Sequence, residues 1–291
     1  MTSLTFMADY CTKNVDCALC GANTHKVLDD DGPIKVVKCR ACGLVYTNPQ
    51  PVQDGLAEYY EEKDHLQWLE GLPPDRKKAW ENRFNYLQRQ RFEKVKRYKE
   101  PGAILDVGCG CGYFLEQAKA GGWSVRGVEL SGSAAKYAKD VFGIEAFHGE
   151  LKNAGLPDNS FDVVTFWHVL EHTADPLGTL IEARRILKPD GLLIVAAPNV
   201  RSYIYKAAYA LYRFKPFGVA PKDVRIMHLY HFSADTLGRL LRKTGLTPIR
   251  YDINMDRTLL LERILDGFAW MLQKTIGVNF GIALEVYARK I

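Results

Sequence analysis

Between Ala103 and Glu129 the chain passes from a short apolar strand into a glycine-rich turn, then a helix, then a second strand that ends on an acid. The turn reads Asp106-Val107-Gly108-Cys109-Gly110-Cys111-Gly112, and the helix from Tyr113 to Ala120 is closed by Gly121 and Gly122. The rhythm persists. Helical patterns at 132–142, 176–187 and 233–244 separate strand patterns at 145–148, 161–167, 192–197, 248–254 and 282–290. Lys188-Pro189-Asp190-Gly191 reads as the stop of the second of these helices, and Ser233 as the N-cap of the third. Short apolar strands alternating with amphipathic helices predict a parallel sheet covered on both faces. In such sheets ligands bind beyond the carboxyl ends of the strands, which is where the glycine turn falls.

Two ligand classes use a glycine turn followed by an acid at the end of the second strand. A dinucleotide site has G-x-G-x-x-G, with the pyrophosphate over the helix N-terminus. This chain has G-x-G-x-G, and Tyr113 occupies the third dinucleotide position. Asp106 repels a pyrophosphate but suits a ligand with an ammonium group. Glu129 is placed to accept hydrogen bonds from ribose hydroxyls. A tight turn with no ligand is the bland alternative.

Ile104-Leu105-Asp106-Val107-Gly108-Cys109-Gly110-Cys111-Gly112 resembles the first motif of class I S-adenosylmethionine-dependent methyltransferases. Four further segments resemble that family in the same order: Gly127-Val128-Glu129-Leu130, then 156–164, then His168-Val169-Leu170-Glu171-His172, then 185–191. The resemblance implies a Rossmann-like α/β fold with a seven-stranded, mostly parallel sheet of order 3-2-1-4-5-7-6. It implies that Gly108, Gly110 and Gly112, with Asp106 and Cys109, line the methionine part of S-adenosylmethionine. Glu129 would hold the ribose, Leu130, Glu150 and Leu151 the adenine, and Trp167 and His168 would face the sulfonium and the substrate. Glu150 stands where the family more often has Asp.

Cys17-Ala18-Leu19-Cys20 and Cys39-Arg40-Ala41-Cys42 form C-x2-C-x18-C-x2-C, each pair followed by a glycine. Two such knuckles converge four thiolates on Zn²⁺, and with all four positions filled the site is structural. A ribbon of this size has no core of its own, so the metal supplies much of its folding energy. The placement resembles methyltransferases with an N-terminal zinc ribbon, in which 42–49 continues into a tyrosine-bearing helix, here Tyr59-Tyr60. Members act on sugars, quinone-like rings and other small metabolites. Cys11, Cys109 and Cys111 read as incidental or small residues.

The expected organisation is a zinc ribbon at 1–48, a helical connecting segment at 49–100, and a methyltransferase domain at 101–291 with lid insertions at 201–229 and 257–277. The aromatic and basic stretch 203–214 reads as a substrate cover or as a packed amphipathic helix. His228, His231 and His172 are candidate general bases, because imidazole titrates near neutrality. The apolar stretch 259–272 fits a dimer face, a core helix, or a peripheral contact with membrane or lipid substrate.

The net charge of +5 is too mild to imply nucleic acid, and the basic run 76–99, where such an excess would concentrate, reads as a solvated helix face. No run of 18 apolar residues exists and no signal peptide is read, so a cytoplasmic protein, monomer or homodimer, is expected. The reading is therefore an enzyme that methylates a small metabolite. A methyltransferase of a lipid-linked substrate, and a zinc-ribbon RNA-binding protein carrying a methyltransferase domain, are the alternatives. A nicotinamide-dependent oxidoreductase is disfavoured by Tyr113.

Overall fold

The computed structural model describes residues 12–30, 34–51, 73–202, 228–253 and 283–291. The expectations placed on Cys11, on Tyr59-Tyr60, on the cover at 203–214 and on the helix at 259–272 lie outside them.

Seven strands form the central sheet: β6 (Ala103–Val107), β7 (Ser124–Glu129), β8 (Ala146–His148), β9 (Phe161–Trp167), β10 (Leu187–Pro198), β12 (Leu246–Ile253) and β13 (Ala283–Lys290). Their order across the sheet is β8-β7-β6-β9-β10-β13-β12. In order of occurrence among these strands that is 3-2-1-4-5-7-6, as the family resemblance implies. β13 runs antiparallel to both β10 and β12, and the remaining pairings are parallel. Alternate residues of each strand point to opposite faces. Val163, Ile194 and Tyr287 pack on one face with Phe92, Val95, Phe114 and Leu115, from α1 (Pro74–Lys96) and α2 (Tyr113–Ala120). Val164, Val195 and Val286 pack on the other with Leu180 and Ala183 of α4 (Pro176–Ile186) and Leu237 and Leu240 of α5 (Ala234–Lys243).

Local chemistry sets the helix ends. Ser131 accepts from the Ala134 N–H at the start of α3 (Gly132–Phe142), and Asp175 from Gly178 before α4. Ser233 and Thr236 form a reciprocal capping box at α5. One expected stop differs. Lys188-Pro189-Asp190-Gly191 does not separate helix from strand but interrupts the strand itself. Leu187 already pairs with Phe161, the register then shifts, and pairing resumes at Leu192 with Val163. Asp190 takes φ 58° within this bulge.

The N-terminal segment is a second, antiparallel sheet of β2 (His25–Asp30), β3 (Lys35–Cys39) and β4 (Val45–Asn48), completed by β11 (Tyr230–His231). β1 (Thr12–Lys13) pairs separately with β5 (Gln50–Pro51). The fourth strand of the small sheet is thus donated from the far end of the chain, with Tyr230 opposite Tyr46 and His231 opposite Val45. α5 fastens it further: Arg239 donates to the Cys42 carbonyl at 3.0 Å and Lys243 to the Leu19 carbonyl at 2.9 Å. Cys17, Leu19, Val37 and Leu44 share one continuous core with Leu237, Leu240 and Leu241. The basic run on α1 is exposed over much of its length, but Arg91 and Lys94 turn inward.

Candidate active site

The turn after β6 is held open by backbone geometry. Gly108, Gly110 and Gly112 have φ of 71°, 53° and 82°, a region that side-chain-bearing residues resist. A Cβ on Gly110 would meet nothing within 4 Å, so this part of the turn borders open space. The N–H groups of Gly108 and Cys109 donate to the Val128 carbonyl at 2.7 and 3.1 Å. Gly110 N–H donates to Oε2 of Glu129 at 2.7 Å, and Ser131 N–H to Oε1 at 2.9 Å. The carboxylate therefore ties the turn to the end of β7, and its remaining lone pairs can take hydroxyl donors. Burial raises the Glu129 pKa above the ordinary range, opposed by these N–H donors. Cys109 turns its thiol into the core against Gly127, where a Cβ would stand 2.5 Å from the sulfur.

Asp106 is buried, and its Oδ1 accepts a 2.6 Å hydrogen bond from the Thr165 hydroxyl on the neighbouring strand. Burial pushes its pKa up to about 7, against the pull of that hydrogen bond and of the Arg91 charge. Arg91 stands 5.0 Å over the ring of Trp167, which ends β9 and meets Phe114 edge-on. The buried Nε1 of Trp167 has no hydrogen-bond partner among the described residues. Arg91 and Thr165 were not singled out from sequence. The alternation of β9 puts Thr165 on the Trp167 face, but nothing local marks Arg91 within a run of like charges.

On the far side of β7, Leu130 is half-buried and its carbonyl lies 3.0 Å from Nε2 of His148. Leu151 is buried at the start of a 3-10 turn, Leu151–Asn153. Glu150 precedes it, half-exposed and paired with Lys152 at 2.7 Å.

The loop after β9 abuts the glycine turn. A Cβ on Gly108 would stand 2.4 Å from Cγ2 of Val169. His168 takes φ 60° and Leu170–His172 form one 3-10 turn. That turn buries Glu171, whose carboxylate is 1% exposed. His168 Nδ1 is 3.6 Å and His172 Nε2 3.9 Å from Oε1 of Glu171. Burial alone would raise Glu171, but these imidazoles outweigh it and hold its pKa below the ordinary value. The rings of His172 and His228 lie 4.8 Å apart, and those of His228 and His231 6.2 Å. Burial lowers His228 and His231 to about 4. The structure thus gathers the three histidines singled out as candidate bases, and adds Glu171, which lay in the quoted segment without a role. The small sheet fixes their far side: Thr47 donates to the His228 carbonyl at 3.0 Å, and its N–H to that of Leu229 at 2.9 Å.

The four paired cysteines converge, with every Sγ within 4.8 Å of the others. Cys17 and Cys42 sulfurs are 3.3 Å apart and those of Cys20 and Cys39 are 3.5 Å apart. Burial pushes Cys39 up, but the N–H groups of Cys42 and Ala41 outweigh it and bring its pKa down to about 7.

A seven-stranded sheet with one antiparallel strand, a glycine turn after its first strand and an acid at the end of its second make up the arrangement expected of a methyltransferase domain. The sequence pattern of the methyltransferase domain matches residues 79–251, and the chain belongs to that family. Demethylmenaquinone methyltransferase of Staphylococcus saprophyticus is 33% identical over 132 residues, 43% of this chain and 57% of that enzyme. The chain thus spans a little over half the length of that relative. Ubiquinone biosynthesis O-methyltransferase of Hydrogenovibrio crunogenus is 29% identical over 215 residues, covering 67% of this chain and 80% of that one. Among solved structures, a SAM-dependent methyltransferase from Thermotoga maritima, described as a possible histamine N-methyltransferase, shares the fold. It has a TM-score of 0.55 at 20% identity, covering 81% of this chain and all of that one. No helix among the described residues is long and apolar enough to cross a membrane.

Proposed function

We propose that this protein transfers a methyl group from S-adenosylmethionine to an oxygen of a small, quinone-like aromatic metabolite. The observation that carries the cofactor half is the Glu129 carboxylate, which gathers the N–H groups of Gly110 and Ser131 beside an open-faced glycine turn. The acceptor half rests on the relatives: one is named a demethylmenaquinone methyltransferase and the other a ubiquinone biosynthesis O-methyltransferase, and the choice of oxygen follows the second.

S-adenosylmethionine supplies a methyl group on a sulfonium centre that is already electrophilic. The chain's own residues bind and aim. Glu129 receives the ribose hydroxyls. Leu130, Leu151 and Glu150 border the adenine. Gly108, Cys109, Gly110 and Gly112 leave room for the methionine chain, whose ammonium meets Asp106 and whose carboxylate meets Arg91 and the unpartnered Nε1 of Trp167. His168, His172, His228 and His231 face the acceptor. Transfer forms the O–CH₃ bond and breaks the S–CH₃ bond, the electron pair staying on sulfur, and the hydroxyl proton passes to water. Alignment of the oxygen with the methyl group is the main contribution.

Cys17, Cys20, Cys39 and Cys42 hold a structural Zn²⁺ in this reading. Zn–S bonds of about 2.3 Å put tetrahedral sulfurs roughly 3.8 Å apart; two pairs stand at 3.3 and 3.5 Å and all four sulfurs lie within 4.8 Å of one another. The ribbon of residues 1–48 then serves the methyltransferase domain of 101–291 by seating β11, with His231 on it and His228 just before it, and with 49–100 as the connection. Thiolates kept as ligands fit a reducing compartment, the cytoplasm. The test is calorimetric titration with S-adenosylmethionine, followed by a screen of dihydroxylated aromatics with labelled methyl donor. Absence of binding would refute the reading.

A further inference from the structure

Beneath α1, the face of the central sheet holds a buried ion pair that has no part in the reaction as described. Glu285 on β13 is 1% exposed, and Lys94 on α1 donates to its Oε2 at 2.7 Å. The Tyr287 hydroxyl donates to the other oxygen. A buried pair of this kind adds little net stability over apolar residues of similar volume, so strength alone does not account for it.

The register shows what the pair can do. Trp167 on β9 lies opposite Ala196 on β10, and Ala196 lies opposite Glu285 on β13. Glu285 is therefore level with Trp167, two strands or about 10 Å across the sheet. Trp167, Ala196 and Tyr287 share one core with Phe92 and Val95 of α1, and Glu285, two residues before Tyr287, faces the same way. Three residues along, an α-helix has advanced about 4.5 Å and returned to nearly the same face. Arg91 and Lys94 thus meet the sheet at one level, the first 5.0 Å over the Trp167 ring, the second on Glu285. Gln88, a turn earlier and buried, accepts from Nη1 of Arg91 at 3.3 Å. Pro73 gives the start of α1 no side-chain cap. The contacts of Phe92 and Val95 are apolar, and apolar burial has no direction. The ion pair does have one.

We infer that Lys94 and Glu285 are positioning residues for the cofactor: their ion pair sets the rotation of α1 that aims the Arg91 guanidinium at the methionine carboxylate. The inference rests on the methyltransferase reading above. It gives the last strand, which contributes no group to the cofactor, a part in holding it. Without the pair, Phe92 and Val95 still bury, but α1 is free to turn and Arg91 loses its aim.

The test is calorimetry on the full-length protein with two ligands, S-adenosylhomocysteine and S-adenosyl-3-thiopropylamine, which is the same molecule without the carboxylate. The wild type should prefer the first. Arg91→Met sets the scale: it should weaken S-adenosylhomocysteine by roughly 10–100-fold, the worth of a hydrogen bond between charged groups, and the amine far less. Glu285→Gln should show the same selective loss at roughly 3–10-fold, a part of that bond. The double change Lys94→Met with Glu285→Leu leaves no buried charge unpaired, so denaturant midpoints should show it close to wild-type stability. It should nevertheless lose the preference, because an apolar pair holds α1 without aiming it. A wild-type preference in both Glu285→Gln and the double variant overturns the inference, and so does an equal loss for the two ligands, which marks general loosening. In either case selective loss in Arg91→Met leaves the methyltransferase reading standing. A wild type that binds neither ligand refutes that reading, and the inference with it.

Discussion

Oε2 of Glu129 accepts the N–H of Gly110 at 2.7 Å while its Oε1 accepts that of Ser131 at 2.9 Å, so a single carboxylate joins the turn after β6 to the start of α3. A carboxylate is acceptor-only at both oxygens, and a carboxamide is not. Glu129→Gln must therefore turn an NH₂ group towards one of the two N–H donors. The isosteric change is predicted to weaken cofactor binding nearly as much as Glu129→Ala. Each unpaired donor costs about 1–3 kcal/mol. Calorimetry on both variants checks this, and a Gln variant with wild-type affinity would contradict it.

Asp106 gives a pH signature. Its pKa is raised to about 7 by burial, while the unfolded chain has the model-peptide value of 3.8. Between these values the native state holds the extra proton, so stability without cofactor falls as pH rises from about 4 through about 7, then levels off. A cationic ammonium beside Asp106 favours the ionised form. Cofactor binding at pH 6 is therefore predicted to release a proton, seen as a binding enthalpy that depends on the buffer's ionisation heat. Asp106→Asn should abolish both effects.

Lys94 donates to Oε2 of Glu285 at 2.7 Å, and Glu285 is 1% exposed and also accepts from the Tyr287 hydroxyl. Removing only the lysine leaves a buried charge. Lys94→Met is predicted to cost on the order of 3–5 kcal/mol, and the double change Lys94→Met with Glu285→Leu markedly less. Denaturant midpoints of the three proteins measure it. Additive losses would show that the pair is not coupled.

The ribbon is tied to the acceptor side through β11, Arg239 and Lys243. Cys39→Ser, or chelation of the proposed zinc, is predicted to lower the melting temperature and to raise KM for the acceptor. Affinity for S-adenosylhomocysteine should change little, since the residues proposed to bind it sit on α1 and at the carboxyl ends of β6, β7, β8 and β9. Equal loss of both affinities would place the ribbon's effect in global folding alone.

Much of this was legible in the sequence for a local reason. Ser233 caps its helix within three residues of itself, and the glycine turn needs no distant partner to take its φ values. What escaped depends on distant partners. β11 is two residues long and exists because β4 offers a free edge. Lys188-Pro189-Asp190-Gly191 has the composition of a helix stop, yet Phe161 pairs with Leu187 before it. Arg91 and Lys94 resemble their solvated neighbours until Trp167 and Glu285 are seen beneath them. Glu171 was visible between His168 and His172, but only the fold shows that it is buried against both imidazoles.

The most direct test of the account is one calorimetric titration of the zinc-loaded protein with S-adenosylhomocysteine, run beside Glu129→Gln. The account predicts saturable one-to-one binding by the wild type and a large loss in the variant. No binding by the wild type, or equal binding by both, would contradict it.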